Sequence, residues 1–146
     1  MIDTTKLSIQ LIELGETSVK LELERVYYDY IKIVCKVIQG PFSGAFTFTI
    51  DERELDYYLV ELEKIDKNIE GKVAIFDDDY EASISLDQDI KGHLKIKIFL
   101  GKWEHDTHAE FYIESDQTVL TKLLTFLTSV KGRIQKKHFG MDCLDT

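Results

Sequence analysis

Apolar and polar residues alternate one for one along most of this chain, and that period of two is what most limits its fold. Val19, Leu21 and Leu23 alternate with Lys20, Glu22 and Glu24. Successive side chains of an extended strand point to opposite faces, so the pattern predicts a strand with one buried and one wet face. It recurs at Ile31, Ile33, Cys35 and Val37, at Phe46, Phe48 and Ile50, and at Tyr80, Ala82, Ile84 and Leu86. It returns at Leu94, Ile96, Ile98 and Leu100, and at Phe111 and Ile113. Leu7, Ile9 and Leu11 suit a first strand, and 72–76 a further one. Short connections rich in Gly, Asp or Ser separate the segments, as antiparallel hairpins and meanders require.

Two stretches change to the helical period. Asp51 and Glu54 form an N-cap and its capping-box partner. Leu55, Tyr58, Leu59, Leu62, Ile65 and Ile69 then recur at spacings of three and four, with Gly71 placed as the C-terminal stop. Ser115 or Asp116 caps a second helix carrying Leu120, Leu123, Leu124, Leu127 and Val130. Gly132 and the cations Arg133, Lys136 and Lys137 suit its C-terminal end, where positive charge meets the negative dipole pole. The expected fold is α+β: an antiparallel β-sheet of about seven or eight strands, one mid-chain helix and one C-terminal helix. With one proline (Pro41) and no sequence repeat or flexible linker, residues 1–146 read as one domain.

A chain of 146 residues buries enough surface to fold without a disulfide or a structural metal. Cys35 lies in an apolar strand pattern and Cys143 in the C-terminal tail, too distant and too few for a disulfide framework. No apolar run approaches the roughly 20 residues that span a bilayer, and the first ten residues lack a secretory pattern. The expectation is a cytoplasmic protein that binds no membrane.

The net charge of −9 is concentrated. Residues 51–89 hold fourteen Asp/Glu against four Lys/Arg, a balance of −10, and the remainder thirteen against fourteen, a balance of +1. Such a surface repels nucleic acid and attracts basic partners, so the partner expected is a basic protein and not nucleic acid.

Two clusters are candidates for chemistry. Trp103, Glu104, His105, Asp106, Thr107 and His108 pack two imidazoles and two carboxylates together, and His105 and His108 with His93 are the ligands a metal-dependent hydrolase would use. The setting is a connection between strand patterns, where residues three apart point to opposite faces, so no metal site is assigned. Asp77, Asp78, Asp79 and Glu81 lack the spacing of a calcium loop and read as a hairpin turn, or as a docking point for a basic partner. With no glycine-rich phosphate loop, nucleophile elbow or HExxH, the chain reads as a non-catalytic binding protein with no cofactor.

The order of short features resembles the WapI-like family of bacterial immunity proteins. The features are GPFSG at 40–44, the helix pattern from Glu54 to Leu62, and Gly71 opening KVAIF. Gly92-His93 in KGHLKIKIFL and Asp116-Gln117-Thr118 ahead of Leu120 complete it. The resemblance runs from about residue 40 to 130. It implies a cytoplasmic protein that binds and neutralises the C-terminal domain of a cognate toxin, often a basic nuclease. Asp77, Asp78, Asp79 and Glu81 are the expected contacts, with Trp103 as an aromatic anchor or else a half-buried strand end. A small-ligand or lipid-binding domain is the alternative, with Tyr27, Tyr28, Tyr30, Phe46 and Phe48 lining a pocket between sheet and C-terminal helix.

Overall fold

A computed structural model describes residues 6–102 and 107–138. Four strands, β1 (Ser8–Leu14), β2 (Thr17–Val26), β3 (Tyr30–Gln39) and β4 (Phe42–Asp51), lead into α1 (Glu52–Asn68). Four more, β5 (Gly71–Phe76), β6 (Ala82–Gln88), β7 (His93–Lys102) and β8 (Thr107–Asp116), lead into α2 (Gln117–His138). Each set is a four-stranded antiparallel sheet in chain order, so the expected α+β class holds, with eight strands divided between two sheets. A four-strand-plus-helix unit thus occurs twice, although the sequence shows no repeat.

The alternation decides which face of each sheet is dry. Leu21, Ile33, Phe48 and Ile50 of the first sheet and Ile75 and Ile84 of the second converge with Leu123 and Leu127 of α2 in one core. The space left among these eight side chains is about 10 Å³, at most one water rather than a ligand. Each helix starts where its sheet ends, on an aspartate. Asp51 Oδ1 accepts the Glu54 N–H at 2.8 Å and Asp116 Oδ1 the Thr118 N–H at 2.9 Å, satisfying donors that a helix start leaves unpaired. Among the described residues no helix is long and apolar enough to cross a membrane.

Three local expectations are corrected. Gly71 does not stop α1; Ile69 takes the left-handed cap at φ 65°, its N–H donating to Ile65 O at 2.8 Å. Gly71 opens β5 at φ 142°, where an added Cβ would lie 2.9 Å from Ile65 Cγ1, so it serves close approach. Tyr80 belongs to the β5–β6 turn at φ 57° rather than to a strand, which begins at Ala82. Gly132 lies inside α2, which runs on to His138 because Ile134 is buried beyond it.

Candidate functional site

The acidic turn at 77–81 is one of the places where the two units meet. Asp78 N–H donates to Thr49 O at 2.9 Å, and the Thr49 N–H donates to Asp77 Oδ1 at 2.7 Å, tying the turn to edge strand β4. Asp77 Oδ2 also accepts the Asp79 N–H at 3.2 Å, and Asp77 is buried. Of the expected contacts, Asp77 therefore builds the turn, while Asp78 and Asp79 are exposed and Glu81 is half-buried. A buried carboxylate must be hydrogen-bonded, and backbone donors satisfy this one. Trp103, with Glu104, His105 and Asp106, lies outside the described residues.

The docked turn sits beside the start of α1, where carboxylate oxygens of Asp51, Glu54 and Asp78 lie within 4.8 Å of one another. Burial pushes the Glu54 carboxyl above its ordinary range, and the neighbouring Asp51 and Asp78 carboxylates push it further. Beside this cluster a groove of about 620 Å³ runs between α1 and the β5–β6 hairpin. Tyr57, Tyr58, Phe76 and Tyr80 line it, with Glu54 and Asp87. Tyr57 is 58%, Phe76 38% and Tyr80 71% exposed. Large aromatic side chains at that exposure beside carboxylates make a surface fitted to grip a partner.

The outer face of the first sheet mixes charges of both signs. Glu22 is held by Lys6 and Lys20 at 3.1 Å and by Lys36 at 3.4 Å. Hydrogen bonds from Lys20 and Lys6 lower its carboxyl to about 2. Tyr27 stacks on Tyr30 with centroids 4.3 Å apart, and Arg25 and Lys32 lie 5.0 and 6.0 Å from the Tyr27 ring centre. Five cations and a stacked tyrosine pair thus share the first-sheet side of an acidic chain.

The other sequence candidates are not brought together. His93 pairs with Asp116 and His108 with Gly101 across β7 and β8, eight residues or roughly 26 Å apart along the strand, so they cannot ligate one ion. His93 Nδ1 meets Asp89 Oδ2 at 3.3 Å, and the His108 ring stacks on Phe99 at 5.2 Å. The five aromatics of the ligand-binding alternative likewise share no cavity: Phe48 is in the core and Tyr28 is exposed. Sequence reasoning missed the groove, although Tyr57 falls off the apolar stripe of α1 and was the available signal.

No family model and no curated protein matches the sequence. Solved structures do match in fold. The crystal structure of WHY1 from Arabidopsis thaliana matches with a TM-score of 0.56 at 9% identity over 97% of each chain. The plant transcriptional regulator PBF-2 matches with a TM-score of 0.51 at 10% identity, covering 93% of this chain and 85% of that one. The expectation of no nucleic-acid partner is thereby corrected: this fold occurs in a transcriptional regulator. The physical reason is that net charge averages over faces: the acid excess lies in residues 51–89, while residues 6–50 hold five basic and five acidic side chains.

Proposed function

We propose that this chain is a non-catalytic, cytoplasmic protein-binding module of the immunity type, which neutralises a basic toxin domain by covering its active surface. One observation supports the reading above the rest. Residues 51–89, where the acid excess lies, include α1 and the β5–β6 turn, which together frame the aromatic groove. Charges at the rim speed encounter and rings at the centre hold it, the division of labour seen at tight interfaces. The experiment is co-expression with the C-terminal domain of the protein encoded by the adjacent gene, if that domain proves toxic. Rescue of growth is expected, with an association rate that falls as salt rises and on Asp78→Asn with Asp79→Asn. A toxic domain that this chain does not rescue would end the reading.

Arg25 and Lys32 beside the stacked Tyr27–Tyr30 pair favour a second reading, single-stranded nucleic acid. Cations alongside a stacked aromatic pair are the elements such surfaces use. Salt-sensitive binding of labelled oligothymidylate, lost on Arg25→Glu with Lys32→Glu, would establish it in place of the first.

A further inference from the structure

We propose that the groove between α1 and the β5–β6 hairpin is a receptor for one arginine side chain presented by a basic protein. The inference deepens the protein-binding reading and rests on it. Tyr58 forms the fixed wall: its ring is buried and its hydroxyl accepts the Phe76 N–H at 3.1 Å. Tyr57 meets Tyr58 edge-on at 5.8 Å, and Tyr80 is tilted against Phe76 at 5.5 Å, so ring surfaces stand on both sides of the groove. Glu54 supplies a carboxylate beside these rings, while Asp87 lines the far end of the groove, four residues or roughly 13 Å along the strand from the Phe76–Ser83 pair and opposite Lys72.

A planar guanidinium stacks on aromatic rings while its edge donates to a carboxylate. Lysine offers a compact, strongly hydrated charge that must shed more water to enter the same site. The groove, at about 620 Å³, has ample room for such a side chain and its flanking backbone. A cation between the rings would also relieve the crowding of Asp51, Glu54 and Asp78.

Tyr80 is the residue that points to a ligand. It holds φ 57°, a backbone state that suits glycine, with its N–H donating to Asp77 O at 2.8 Å and its ring mostly in solvent. A bulky residue in that state costs free energy with little burial to offset it. Strain of this kind gathers where a side chain has to be aimed.

The test is titration of the whole chain with labelled penta-arginine and penta-lysine peptides at equal salt. The arginine peptide is expected to bind at least tenfold more tightly. Tyr80→Gly relieves the strained φ, so it should melt no lower than the parent yet bind the arginine peptide at least tenfold more weakly. Tyr57→Ala, on the exposed side of α1, should weaken binding similarly without change in fold. Absent arginine binding, equal binding of the two peptides, or undiminished binding by both variants would overturn the proposal. Growth rescue by the parent chain is read separately. Rescue without arginine selectivity sinks only the arginine site, and arginine binding in the groove without rescue sinks only the toxin partner.

Discussion

The two helices occupy equivalent places in the two units and carry opposite charge. α1 has six acidic and three basic residues, whereas α2 has five basic residues and no acid. Both begin on an aspartate cap and bury an apolar stripe against the same core. They are joined near the start of α1, where Lys131 of α2 reaches Glu52 at 2.7 Å and Asp56 at 2.8 Å. Topology and capping therefore repeat because the fold needs them, and charge does not repeat because the fold leaves it free. The acids that Lys131 does not reach, beside the groove, are those available to a partner.

The two units share one core, and the largest expected effects test whether they unfold as one body. Leu55 of α1 and Leu120 of α2 are both fully buried. Leu55→Ala and Leu120→Ala should each cost about 2–5 kcal/mol, and each should shift one common denaturant transition followed by circular dichroism. Two transitions, each moved by one variant, would show two independent cores.

The first unit alone holds the lysine-bound carboxylate Glu22. Its folded pKa, about 2, lies below the ordinary 4.5, so its stabilisation is complete above about 4.5 and is lost as pH falls toward 2. Glu22→Gln should flatten the stability–pH curve across that window; a parallel downward shift at every pH would point to packing instead of charge.

Smaller effects distinguish the two caps. Asp51 lies in a carboxylate cluster with Glu54 and Asp78, whereas Asp116 accepts from the Thr118 N–H and hydroxyl and is held below its ordinary range by them. Asp116→Ala should lower the melting midpoint more than Asp51→Ala, because removing Asp51 also relieves repulsion. The reverse order in thermal melts would mean that the cluster at Asp51 is not repulsive. The smallest effect has the opposite sign. Ile69→Gly should stabilise by up to about 1 kcal/mol, since glycine accepts the left-handed cap that isoleucine holds under strain. A loss of stability would show that the half-exposed Ile69 side chain contributes more packing than its exposure suggests.

Strand positions, the aspartate caps and most of the buried stripe of each helix were legible in the sequence. A period of two or of 3.6 writes the dry face directly into residue order, and Asp51 and Asp116 stand just ahead of their stripes. Glycines were less legible. Gly71 near the end of a helix serves a left-handed cap or a close approach equally well, and only the position of Ile65 decides between them. The candidate site was half legible: the acid excess was visible in composition, but Asp77 could not be separated from Asp78 and Asp79, because its burial depends on Thr49 of β4.

Residue order alone dictates which residues extend or coil, and which side of each element is apolar. Both follow from interactions between near neighbours. Tertiary structure decided that eight strands divide into two sheets, that the acidic turn docks on β4, and that Tyr57, Phe76 and Tyr80 face one groove. Those depend on contacts between distant segments, whose pairing is fixed only when the whole core closes and no local pattern records it.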